Sequence, residues 1–120
     1  MATATLTSAT FEETIASSPT LFVDFWAGWC GPCMRFGPVY EAASEKHPDV
    51  TFAKVDTDAE QQLSMSLEIQ SIPTLMVFKE GTLVFRQPGA LNAAQLDELI
   101  EKVRTFDVAA ATATPDDDAA

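Results

Sequence analysis

The stretch TLFVDFWAGWCGPCMRF, residues 20–36, decides how the chain is read. Its first eight residues, TLFVDFWA (20–27), are apolar at both parities with one interruption, Asp24. A strand wetted on one side would alternate; an apolar run of strand length predicts a central strand covered on both faces. The chain's only two cysteines, Cys30 and Cys33, follow behind Trp29 and flank a Gly-Pro pair. After them Phe36, Val39, Tyr40 and Ala43 recur at helical spacing. The cysteines therefore fall where a buried strand ends and a helix begins. Pro48 stops that helix near His47, and Pro38 inside it is expected to bend it.

Working outward, the pattern keeps alternating. LTS (6–8) reads as a weak first strand, and Thr10 with Glu13 as a capping box opening a short helix that ends at Ser17-Ser18-Pro19. TFAKVD (51–56) is the next strand. Asp58 and Gln61 are expected to cap a short helix with Leu63 and Leu67 on its buried side. TLMVFK (74–79), Gly81 and TLVFRQ (82–87) read as a hairpin. Asn92 with Gln95 caps a last helix whose stripe is Leu96, Leu99, Ile100 and Val103. The order βαβαβαββα is α/β: early parallel pairing through crossovers, then an antiparallel hairpin, hence a mixed sheet with helices on both faces. Residues 1–106 form one domain. From Asp107 the chain is DVAAATATPDDDAA, small and acidic, and reads as a disordered tail over 107–120.

The 120 residues suit one domain, and 47% hydrophobic residues fill its core without staples. A net charge of −11 argues against nucleic acid and anionic membranes as partners. No stretch approaches the ~18 apolar residues of a membrane span. MATATLTSATFEE has neither the basic nor the apolar region of a signal peptide. The expectation is a cytoplasmic protein and a monomer. In the cytoplasm disulfides are mostly transient and catalytic.

Three chemistries compete for the cysteine pair. A structural zinc site needs about four ligands, but the chain offers one pair and a single histidine, His47, at the far end of the helix. His47 there is more simply a helix-end residue favoured by the dipole. A structural staple closing so short a loop removes little chain entropy. A redox couple fits better. Cys30 precedes a helix, where amide N–H groups and the dipole favour a thiolate. Cys33 in the first turn is close enough to attack a mixed disulfide at Cys30. Pro32 removes an N–H the helix does not need there, Gly31 keeps the approach open, and Trp29 offers a flat apolar face, unless it simply packs in the core. Asp24, a lone charge in an apolar strand, gains a raised pKa on burial and is suited to proton transfer near neutral pH. The competing reading is a buried structural acid.

WCGPC after VDFWA, then AKVDTD, SIPTLMVF, and GA before a terminal helix resemble the thioredoxin family over residues 6 to 106. The resemblance implies the thioredoxin fold, a central mixed five-stranded sheet flanked by four helices, and disulfide reduction. It implies Cys30 as attacking thiol, Cys33 as resolving thiol and Asp24 as the carboxylate behind Cys33. Lys54 matches a lysine near that carboxylate, against the alternative of a snorkelling surface lysine. Pro73 matches a cis-proline facing the cysteines, and Ile72 the residue whose backbone pairs with an extended substrate. Gly89 and Ala90 match a loop bordering the docking surface, although a turn alone also calls for glycine. The chain departs from the family in carrying Met34 after Cys33, where lysine is common, with the cation moved to Arg35, and Pro88 ahead of Gly89.

The same resemblance implies no metal and no bound cofactor beyond the Cys30–Cys33 couple. Electrons come from a flavin-containing, NADPH-dependent thioredoxin reductase. The clients are disulfide proteins such as ribonucleotide reductase, methionine sulfoxide reductase and peroxiredoxin. Two rival classes are a thiol oxidant or isomerase on the same fold and a non-catalytic binding subunit. The absent signal sequence and the Gly-Pro pair count against the first.

Overall fold

The computed structural model describes residues 2–112. Its strands and helices run β1 (Thr3–Thr5), α1 (Phe11–Ser17), β2 (Thr20–Trp26), α2 (Gly31–Lys46), β3 (Thr51–Asp56), α3 (Gln61–Ser66), β4 (Thr74–Lys79), β5 (Thr82–Pro88), α4 (Ala93–Thr105) and α5 (Val108–Thr112). One sheet has the order β1-β3-β2-β4-β5. β1 and β2 pair parallel to β3, while β4 pairs antiparallel to both β2 and β5. The apolar run of β2 is thus central, with five consecutive buried residues.

Period-two geometry divides that strand between two cores. Phe22 joins Phe36, Tyr40, Leu75, Leu96 and Ile100, which places α2 and α4 over one face. Leu21, Val23 and Phe25 join Phe11, Val55 and Met76, with Ile15 and Leu63 alongside, which places α1 and α3 over the other. Asp24 shares the parity of Phe22 and therefore points under α2. Burying a side chain such as Phe22, which is fully covered, contributes about 2–3 kcal/mol. The hairpin turns on Glu80 and Gly81, both at positive φ (53° and 79°), the pairing a two-residue type I′ turn requires.

Several expectations need correction. The first strand lies at 3–5, not 6–8. Leu6 makes the last sheet-like bond, its N–H to the Lys54 carbonyl, and a turn then closes from Thr7 to Thr10. That turn also removes the expected capping box: the Thr10 hydroxyl accepts the N–H of Thr7 and caps nothing in α1. α3 begins at Gln61 with Glu60 as its uncapped N-cap, and Gln61 donates back to the Asp58 carbonyl. Leu63 and Leu67 do face the core, half-buried against it, with Ser64 buried beside them. Among the described residues five helices form where four were expected. Asp107 Oδ1 accepts the Ala110 N–H at 3.2 Å, and Val108 is buried. The expected tail therefore begins with a helical turn, and its remainder, 113–120, lies outside the described residues. The Asn92–Gln95 capping box of α4 forms in both directions.

Candidate active site at the junction of β2 and α2

Cys30 is the N-cap of α2, held extended at φ −92° and ψ 114°. Its backbone N–H reaches the Ala27 carbonyl, which closes the turn out of β2. The sulfur takes the place of a capping oxygen: Cys30 Sγ accepts the Cys33 N–H at 3.2 Å. That satisfies one orphan donor of the helix and directs partial positive charge at the sulfur. Pro32 occupies the helix start, where no N–H is required. The first turn of α2 carries no acid that would oppose a thiolate.

The second wall comes from the residues that lead into β4. The Ile72–Pro73 peptide bond is cis. The Cys30 thiol lies 3.6 Å from the Ile72 carbonyl, to which it donates. Ile72 packs with Ala27, Cys30 and Cys33. Gly89 donates its N–H to the Pro73 carbonyl at 2.7 Å and has φ +106°, a conformation that glycine adopts without a Cβ penalty. Residues far apart in sequence (30, 33, 72, 73 and 89) thus meet at one edge. Trp29 beside them is 72% exposed, so it is not a core side chain. Both cysteines are free thiols and nearly covered, Cys30 at 5% and Cys33 at 2% exposure.

Beneath them lies Asp24, fully buried, with neither carboxylate oxygen hydrogen-bonded among the described residues. Burial pushes its pKa from 3.8 up to about 7, against a smaller opposing pull from Lys54. Lys54 faces Asp24 in the β2–β3 register, and its ammonium sits 4.9 Å from the centre of the Trp26 ring. The half-buried Lys54 is therefore not a free surface lysine. Cys33 is pushed up to about 12, first by burial and then by its contact with Cys30, with the Asp24 charge adding to the effect. The resting site thus holds Cys33 as a thiol over a carboxyl poised near neutrality. Among the described residues no cluster of three or more His, Cys, Asp or Glu side chains is placed to hold a metal ion.

One contact escaped the sequence reading. The Trp29 indole N–H donates to Asp58 Oδ2 at 3.0 Å. The spacing of Asp58 and Gln61 points instead to a cap on α3. Nothing in its spacing marks a partner 29 positions away, and only the return of β3 beside β2 brings the two together.

Residues 2–102 match the family model described as Thioredoxin. The putative thioredoxin 2 of Streptomyces coelicolor is 48% identical over 106 residues, covering 88% of this chain and 79% of that protein. The thioredoxin of Alicyclobacillus acidocaldarius is 42% identical over 105 residues, covering 83% of this chain and all of that one. The solved structure of Plasmodium falciparum thioredoxin is similar with a TM-score of 0.76 at 39% identity, over 82% of this chain and 97% of that chain. A cysteine pair at a strand–helix junction, a mixed five-stranded sheet and these likenesses agree: the chain belongs to the thioredoxin family of disulfide oxidoreductases.

Proposed function

We propose that Cys30 is the attacking thiol, Cys33 the resolving thiol and Asp24 the proton acceptor of a dithiol reductant. The observation that carries this is the setting of Cys30 Sγ, with the Cys33 N–H at 3.2 Å and the Ile72 carbonyl at 3.6 Å. An extended client segment lies along Ile72 by strand addition, over the apolar edge of Trp29, Gly31, Pro32, Pro73 and Gly89. The Cys30 thiolate attacks one client sulfur and the other leaves as a thiolate, giving a mixed disulfide. Cys33 then attacks Cys30, the client's second sulfur leaves reduced, and Cys30–Cys33 remains oxidised. Two electrons have passed to the client, and a reductase returns them.

The order of events follows from the acidities. Two of the influences holding Cys33 protonated come from Cys30 itself, and they disappear once Cys30 is tied to the client. Asp24, near 7, takes the Cys33 proton and thereby loses the charge that opposed the Cys33 thiolate. Lys54 supports the site by biasing Asp24 toward its ionised form. No bound cofactor is needed, because the sulfurs carry the electrons.

The proposed electron source is a flavin-containing, NADPH-dependent thioredoxin reductase. The proposed clients are ribonucleotide reductase, methionine sulfoxide reductase and peroxiredoxins. Among the described residues no helix is long and apolar enough to cross a membrane, and we place the protein in the reducing cytoplasm as a monomer. Equilibration of the Cys30–Cys33 couple with a dithiol buffer at neutral pH tests the reductant reading. A midpoint near about −270 mV is expected, whereas one between about −180 and −120 mV would assign the protein to the isomerases and oxidants.

A further inference from the structure

The chain has 18 acidic and 7 basic residues, so no cation goes unpaired for want of carboxylates. Six of the seven Lys and Arg side chains are engaged. Lys46 meets Asp97, Lys102 meets Glu98, and Arg104 meets Asp49 and Glu101. Lys79 donates to three carbonyls at the end of α4, Arg86 donates to the Glu68 carbonyl, and Lys54 covers the Trp26 ring. Arg35 is the exception: it is exposed, with no hydrogen bond, ion pair or ring partner among the described residues.

Its position gives the exception a direction. Long side chains on a helix lean toward the N-terminus. From one turn along α2 the Arg35 guanidinium reaches back onto Gly31, where a Cβ would lie 3.5 Å from Nη1. Gly31 adjoins Cys30 and is itself exposed. A cation near a helix N-terminus is disfavoured by the dipole, so this placement brings α2 no stability. What it does is hold five N–H donors in a planar fork at the rim of the exchange site, a geometry that matches a carboxylate.

We propose that Arg35 is a specificity-determining residue, binding a carboxylate that the client carries beside the disulfide under attack and so favouring clients with an acidic residue there. The proposal rests on the reading of Cys30 as the attacking thiol. It narrows the client class: on a chain of net charge −11, an acidic client is repelled at long range, and Arg35 supplies the local offset.

The test uses disulfide peptides differing only in the residue next to the reactive cysteine (Glu, Gln or Lys), reduced by the full-length reduced protein. Arg35→Gln should lower kcat/KM for the Glu peptide about threefold and leave the Gln peptide unchanged. Arg35→Glu should shift the Glu-to-Lys preference about tenfold toward Lys, with the shift shrinking in high salt. Lys46→Glu, the same charge change at the far end of α2, should leave the preference in place. Alkylation of Cys30 by neutral iodoacetamide should proceed equally in wild type and Arg35→Gln. A uniform loss across all three peptides together with slower alkylation would overturn the proposal and make Arg35 a tuner of the thiolate. An unaltered preference in both Arg35 variants would also overturn it. Failure of the wild-type protein to reduce the small neutral 2-hydroxyethyl disulfide would instead break the parent reading.

Discussion

The two ends of α2 are built on opposite principles. At the C-terminal end the charges satisfy one another. Lys46 and His47 share Asp97, and Arg104 spans His47 and Asp49. At the N-terminal end polar groups are left wanting. Both oxygens of Asp24 and the Trp26 indole N–H are buried with no hydrogen-bond partner among the described residues, and Arg35 has no partner in the same set. Exposed pairs contribute little because water and salt screen them, whereas a buried unpaired carboxylate is expensive. A chain keeps the expensive arrangement where a reaction uses it. Stability and function are therefore separable along one helix, and substitutions at its two ends should behave differently.

The largest effect belongs to the reactive end. Cys33→Ser should abolish turnover and leave clients attached to Cys30 as stable mixed disulfides, seen by mass spectrometry of trapped complexes. Attachment through Cys33 in a Cys30→Ser variant would reverse the two roles. Asp24→Asn comes next and should move stability and activity in opposite directions. Turnover near pH 7 should slow by about tenfold to a hundredfold, with loss of the pH dependence near 7. Stability follows from the sign of the shift. A carboxyl raised from 3.8 to about 7 by folding contributes fully below pH 3.8, and that contribution is lost as pH rises to 7. Between pH 5.5 and 8 the wild type should lose about 2 kcal/mol relative to Asp24→Asn, read from urea denaturation. Parallel stability curves would show that Asp24 is not strained by burial and would dissolve the contrast between the two ends.

At the helix flanking the paired end, Asn92→Ala should cost about 1 kcal/mol through the lost cap, with disulfide turnover unchanged. Asn92 caps α4 reciprocally with Gln95, so the lost bond is local to the start of that helix. A fall in turnover without a fall in stability would contradict the division.

Where residues a few positions apart settle a feature, the sequence was enough to read it. The double-sided strand, the helix after Cys33, the hairpin and the Asn92–Gln95 box all depend on local spacing, and all formed. The capping box at Thr10 failed although its spacing was right, because Thr7 offered a closer donor. Helix α5 is not legible because Val108, buried in the folded chain, stands in an alanine-rich acidic run with no apolar periodicity to mark it. In the site, Cys30, Cys33 and Asp24 stand out within ten residues. Asp58 against Trp29 does not, since it depends on strand order. The unpaired state of Arg35 is likewise invisible until every other cation has been placed.

The smallest expected effect tests the paired end directly. Arg104 is the hub there, its guanidinium reaching Asp49, Glu101 and His47 Nδ1. Arginine only donates, so this contact holds His47 with Nδ1 as acceptor and leaves Nε2 to face Asp97 Oδ1 at 3.4 Å. The acids around it are largely exposed, and their attraction to Arg104 is open to screening. Arg104→Gln should therefore lower the denaturation midpoint slightly at low salt, and the difference should fade in about 0.5 M salt. Turnover should match wild type at every pH, because nothing in the network touches Cys30, Cys33 or Asp24. A stability loss that persists in high salt would mean that the network holds α4 by packing and directed hydrogen bonds. The paired end would then count as a structural clasp, and the contrast along α2 would lie between two costly arrangements serving different ends.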